Sequence, residues 1–199
     1  LKTLLPSDNS RLHTLNDLDR RVARGPEIII YTDASDDAEG VSLGGTTIIQ
    51  DAEGHFQVVS SWTAERSRED MVAAGEEYNI QQLEALAVLH EITREGSYAR
   101  EGARITWGLD NQSDLYGLVK GGISSNRPLR ATIQAIVTRR LAIDWRWVAS
   151  ARNIADILTR KKWKNFKGTC PLAKEVVRDV KIEQWEKIKQ TAETAPVRG

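Results

Sequence analysis

Cysteine is all but missing from this chain of 199 residues. Cys170 stands alone, which excludes an internal disulfide and a cysteine-rich zinc module. Net charge is missing too: 28 Lys and Arg balance 28 Asp and Glu, so no global basic field announces nucleic acid. Any site for a polyanion has to be local. No apolar run approaches the roughly 20 residues of a membrane span, and no signal peptide is visible, so no membrane partner is expected. Internal repeats and low-complexity segments are also absent. What remains is ordinary globular material, 40% hydrophobic and 28% charged. It suffices for a full core, in one domain with appendages or in two small ones. The chain starts at Leu1 rather than Met, which points to a piece of a longer polypeptide.

Residues 1–26 are polar and punctuated, and read as a connector with a short helix that ends at Gly25-Pro26. EIIIYTD (27–33) is a β-branched run that predicts a buried strand, followed by a Gly/Asp-rich turn from Ser35 to Gly40. VSLGGTTIIQ (41–50) and HFQVVSSWT (55–63) read as strands joined by the hairpin signal Asp51–Gly54. The period then changes. Over 79–95, Ile80, Leu83, Leu86, Ala87, Leu89 and Ile92 fall near helical spacing. A strand at 104–109 follows, then a helix over 111–119 with Asn111 as N-cap, a break at Gly121-Gly122, and a helix over 128–141 opened by Pro128. IDWRWV (143–148) alternates as a fifth strand, its Trp145 and Trp147 sharing one face as packing residues. Residues 152–162 read as helix, and a further helical stretch is expected from about 172 to 190. This order predicts a mixed α/β domain, a meander followed by crossovers, over 27–162. Residues 163–199 read as a basic and helical C-terminal extension.

Four acids stand at informative places. Asp33 ends the first strand, Glu84 borders the apolar stripe of the first long helix, Asp110 follows the fourth strand, and Asp156 opens the last core helix. Strand ends converge, so acids distant in sequence can meet there. Gathered carboxylates repel and raise one another's pKa values; divalent cations remove that penalty, and hard oxygen ligands suit Mg²⁺ or Mn²⁺. Two such ions can activate a water and stabilise the leaving oxygen of a phosphodiester. Singly, an acid after a strand is more often a turn or capping residue, and an acid on a helix more often solvated. The joint arrangement carries the inference. Glu76 and Glu77 compete with Glu84, which is preferred for its apolar helical context.

TDAS after a strand, the Glu in QQLEALAVL, DNQ after a strand and NIADILTR near the end together resemble the ribonuclease H family over roughly residues 27–162. The ending WRWVASARNIADILTR is similar to that of BEL/Pao and DIRS-like retrotransposons, whose ribonuclease H belongs to a reverse transcriptase. The resemblance implies a ribonuclease H-like α/β fold: a five-stranded mixed sheet, its first three strands an antiparallel meander, flanked by helices. It implies an endonuclease that hydrolyses the RNA strand of RNA–DNA hybrids and leaves 3′-hydroxyl and 5′-phosphate ends. Asp33, Glu84, Asp110 and Asp156 would be catalytic residues and ligands of two Mg²⁺ or Mn²⁺ ions. Gln112 matches a position that reads the RNA minor groove, where the 2′-hydroxyl distinguishes RNA from DNA. Ser35 and Asn153 are expected at the substrate, and Lys120 and Arg127 in a basic ridge after Asp110. The implied partners are the hybrid and a covalently linked polymerase domain of the parent polyprotein, and the implied location is intracellular, in cytoplasm, virus-like particle or nucleus.

Within KKWKNFK (161–167), Lys161 and Lys162 add to the expected substrate contacts, because aromatics between lysines suit stacking plus phosphate binding. A linker that docks Trp163 into the core is the alternative. Arg139 and Arg140 read as a solvated helix face. One departure from the family is clear: the loop VASARN before Asp156 carries no histidine, and His13, His55 and His90 lie elsewhere, read as surface or edge residues. Arg152 or Ser150 are the candidates for that histidine's place, on proximity alone. Three rivals stand beside the resemblance: an integrase or transposase strand transferase with a similar acid cluster, a catalytically inactive ribonuclease H-like structural or nucleic-acid-binding module, and a free-standing cellular ribonuclease H, which the reverse-transcriptase-like ending disfavours.

Overall fold

The computed structural model describes residues 26–120 and 126–196, so the connector before Pro26 and the Gly121-Gly122 break lie outside the described residues. Strand β1 (Glu27–Asp37) pairs antiparallel with β2 (Gly40–Gln50), and β2 with β3 (Phe56–Ser67). The expected strand end at Asp33 does not occur. The Gly/Asp-rich run pairs instead as hairpin, because Asp37 Oδ1 accepts from the backbone N–H of Glu39 and Gly40 at 2.8 and 3.1 Å and closes a two-residue turn. Gly40 takes a φ of +150°, open to glycine alone. The Asp51–Gly54 hairpin forms as expected, with Asp51 bonded to His55 through backbone and side chain.

After β3 comes a helix the sequence did not announce, α1 (Arg68–Ala74), capped by Ser67 and ended by Gly75 at φ +64°. Helix α2 (Ile80–Thr93) opens on a full capping box between Asn79 and Gln82. Ten consecutive residues of it, Leu83 to Ile92, are buried. The expected apolar stripe is therefore a helix buried all round, and Ile80 at its start is exposed. Strand β4 (Ile105–Leu109) lies parallel to β1, and β5 (Ile143–Trp147) parallel to β4. Between them run α3 (Gln112–Lys120) and α4 (Arg127–Thr138). Asn111 caps α3 as predicted, accepting from Ser113 and Asp114 N–H. The helix expected over 152–162 is broken into a 3-10 turn at Ser150–Arg152, the four-residue α5 (Asp156–Thr159) and a second 3-10 turn at Lys161–Asn165.

The sheet order is β5-β4-β1-β2-β3-β6, the expected five strands with antiparallel meander plus a sixth. The extra strand comes from the C-terminal stretch. Instead of one helix it forms α6 (Pro171–Arg178), β6 (Val180–Ile182) and α7 (Trp185–Thr194). Strand β6 pairs parallel with β3 and covers an edge that would otherwise be open. Trp185, Ile188 and Ala192 of α7 join Trp62, Leu83, Leu86 and Leu89 in one core cluster. Glu76 fastens the same junction: it accepts from Trp185 Nε1 at 3.1 Å and Lys189 Nζ at 2.9 Å and pairs with Arg66 at 3.1 Å. No described helix is long and apolar enough to cross a membrane.

Candidate metal centre

Strands β1 and β4 part company beyond Tyr31 and Gly108, their last paired residues. From there β1 runs on with one edge free, and the acids gather at that fork. Asp33 pairs with Gly44 on β2, Asp110 directly follows β4, and Glu84 comes from α2. Glu84 Oε1 accepts from the freed Ala34 N–H at 3.1 Å. One carboxylate oxygen from each of Asp33, Glu84 and Asp110 lies within 4.8 Å of the others. Glu84 Oε2 is buried with no hydrogen-bond partner. Glu76 is committed to the α7 junction and Glu77 is exposed, so Glu84 is the glutamate the fold brings here.

The wall facing Asp33 is the turn around α5. Gly44 admits it: a Cβ on that residue would stand 2.8 Å from Leu158 Cβ. Thr63 Oγ1 donates to Leu158 O at 2.9 Å, Ser35 Oγ to Thr159 O at 3.0 Å, and Thr159 Oγ1 to Asp33 Oδ2. Asn153 is buried, donating its amide to Thr32 O at 3.0 Å and lying 3.5 Å from Asp33 Oδ1. Asp156 does not share the 4.8 Å group, though its charge acts on Asp33. Its Oδ1 accepts from Arg160 Nε at 2.8 Å.

Burial pushes the Asp33 carboxyl up to about 7; the Thr159 hydroxyl opposes this, while the charges of Asp110 and Asp156 add to it. Burial, then Asp33 and Asp110, hold Glu84 well above the ordinary carboxylate range. Without a counter-ion the pocket resists its own ionisation. The donor set is all hard oxygen, with an orphaned oxygen on Glu84, and fits Mg²⁺ or Mn²⁺.

A pH dependence follows. An acid whose folded pKa is raised keeps its proton longer in the folded chain, so stability is lost as pH climbs through the folded value. Asp33, Glu84, Glu91 and Asp114 all shift upward by burial, three of them to about 7. Buried His90, pushed down to about 4, acts oppositely, but only below its ordinary value of 6.5. Between pH 6.5 and 8 the acids act alone. Urea unfolding of the metal-free chain should show falling stability across that window, and Mg²⁺ should restore it. Flat or rising stability contradicts the strained carboxylates.

Gln112 opens α3, exposed, two residues after Asp110. Lys120 is exposed and sits over the Tyr116 ring at 4.4 Å. Arg127 is exposed and donates to the Glu193 carbonyl. The side chains of Lys161 and Lys162 lie outside the described set. Trp163 is half-buried, with Lys164 5.6 Å from its ring. Arg139 is not merely solvated, since it donates to Ile92 O in the last turn of α2 at 2.8 Å. Ser150 and Arg152 are exposed. His13 lies outside the described residues and His55 is exposed, whereas His90 is buried against Trp62 at 4.6 Å because α2 is covered all round.

Sequence reading missed Thr159, Arg160, Asp114 and the place of Trp147. Trp145 packs on Trp107, 5.5 Å between centroids, but Trp147 is 51% exposed and donates its indole N–H to Asp110 O at 3.1 Å. On an edge strand one Trp finds a partner and the other faces out. Asp114, four after Asp110, is buried with Oδ2 unpartnered. It stands in the first turn of α3, close enough for its charge to add to the upward push on Glu84.

No protein-family model matches the chain, and no curated protein matches it. Among solved structures it is similar to ribonuclease H1 of the halophilic archaeon Halobacterium salinarum, at 14% identity and TM-score 0.49 over 70% of this chain and 99% of that one. The N-terminal ribonuclease H domain of a Mycobacterium tuberculosis protein, fused to maltose binding protein, gives 14% and 0.48 over 67% and 91%. A ribonuclease H1 isolated from compost by a metagenomic approach, solved with an RNA/DNA hybrid, gives 17% and 0.48 over 68% and 95%. Identities this low say nothing about activity.

Proposed function

We propose that this chain is a divalent-metal-dependent nuclease that hydrolyses the RNA strand of RNA–DNA hybrids. The observation that carries the reading is the convergence of Asp33, Glu84 and Asp110 within 4.8 Å, with Asp33 and Glu84 under burial that discourages their ionisation without cations. Asp33, Glu84 and Asp110 would hold divalent ions, with Asp156 beside them. Ions bound there would supply an activated water and charge for the leaving oxygen of a phosphodiester. The chain's own groups supply orientation. Thr159 and Asn153 hold Asp33, the Ala34 N–H holds Glu84, and the Trp147 indole fastens the backbone of Asp110. Hybrid as substrate is supported by the TDAS, DNQ and NIADILTR motifs, and a place beside a reverse-transcriptase polymerase by the ending WRWVASARNIADILTR.

The deciding experiment is cleavage of a labelled RNA–DNA hybrid with Mg²⁺ or Mn²⁺, beside single-stranded RNA and duplex DNA. Cleavage should be confined to the RNA of the hybrid. A chain that binds metal but leaves the hybrid whole is the inactive module; one that joins DNA ends is a strand transferase. Gln112→Ala should weaken the preference for hybrid over duplex DNA by about five- to tenfold, the worth of one hydrogen bond. An unchanged preference removes Gln112 from substrate reading.

A further inference from the structure

Three of the four acids converge, and the fourth is held by a cation of the chain itself. Asp156 is joined to Arg160 through Oδ1 and Nε at 2.8 Å, and does not share the 4.8 Å cluster. The backbone around this pair is clamped: Thr159 is bonded to Asp33 and Ser35, and Leu158 O to Thr63. The Arg160 side chain is not. It is 61% exposed, against 29% for Asp156. An ion pair so open to water is weak, and a divalent ion outcompetes it for the carboxylate. Once displaced, the guanidinium stands beside the cluster with no acid to hold, and its fork suits a phosphate.

We propose that Arg160 is a built-in counter-cation, pairing with Asp156 in the metal-free chain, yielding that carboxylate to a divalent ion when a hybrid binds, and turning its guanidinium to the phosphates of the RNA strand. This rests on the metal-centre reading above. Arg160 is thus a positioning residue for Asp156. It keeps the charge of the acidic pocket lower while no ion is present, and ties occupancy of the Asp156 side to arrival of a polyanion.

The test is a calorimetric Mn²⁺ titration of the full chain at pH 8, without nucleic acid, on wild type, Arg160→Gln, Arg160→Lys and Asp33→Asn. Arg160→Gln should tighten the weaker of the binding steps by about threefold to tenfold, as expected for removing one nearby positive charge. Binding of a cleavage-resistant hybrid with a 2′-O-methyl RNA strand, in saturating Mn²⁺, should weaken in the same variant, and the slope of log K against log salt should shrink by about one. Arg160→Lys keeps the charge without the fork; it should fall between the two and gives the same reading if the Gln variant does not fold. Unchanged or weaker Mn²⁺ affinity in Arg160→Gln overturns the proposal, and so does an unchanged salt slope. Wild type that takes up no Mn²⁺, or Asp33→Asn that binds it as wild type does, overturns the metal centre itself.

Discussion

Asp33→Asn should lower hybrid cleavage in Mg²⁺ or Mn²⁺ by about a thousandfold or more, the several kcal/mol that charge stabilisation by bound ions supplies. The same variant should be more stable than wild type at pH 8 without metal. Asp33 is buried, and its carboxyl lies up at about 7 against the ordinary 3.8. At pH 8 the wild-type chain keeps a charge there that the unfolded chain carries at no cost. The difference is roughly 4 kcal/mol as an upper figure, and an amide should recover about half of it. Asparagine keeps an acceptor for the Thr159 hydroxyl, so the contact with α5 survives. At pH 5 the gain should vanish, because the folded carboxyl is already neutral. Activity and thermal melting at the two pH values are the measurements. A variant that loses activity and is also destabilised at pH 8 assigns Asp33 to structure instead of metal binding; one that cleaves normally removes it from the site.

Trp185→Ala should cost about 3–5 kcal/mol, the usual loss for emptying an aromatic-sized core position, and lower the melting temperature by roughly 6–20 °C. The indole is 5% exposed, packs edge-on to Tyr78 at 5.9 Å and donates to Glu76. Truncation leaves a cavity against α2 and α1 and takes one of the donors from Glu76, whose side chain is buried. Trp185→Phe keeps most of the volume and should cost less than half as much. Below the melting temperature, cleavage should persist in both variants, since Trp185 touches none of the four acids. Urea melts settle the matter: an unchanged midpoint for Trp185→Ala means that residues 180–194 add little to the domain.

The second result bears on how the chain can be read. Residues 163–199 look separable by composition, with lysines between aromatics and then helical spacing. Nothing local says that Val180–Ile182 will pair with β3, because a three-residue strand has no period to detect. Asp37 is a similar case. The run after Asp33 reads as a turn, yet backbone pairing with 40–43 extends the hairpin. Conversely, Asn111 was legible as a cap and Pro128 as a helix opening, because each acts through its own backbone.

The sequence by itself determined the order of elements from β1 to α5 save α1, the meander and its second turn, and which acids stand on which element; these follow from short-range backbone preferences and apolar periodicity. Tertiary structure alone decided which side chains meet. The fork where β4 leaves β1 lets Glu84 reach the Ala34 N–H, Gly44 lets α5 close on Asp33, and Asp156 takes Arg160 as its partner. Those are contacts across 50 to 126 positions of chain or choices between competing partners, and distance in space has no signature along the polymer.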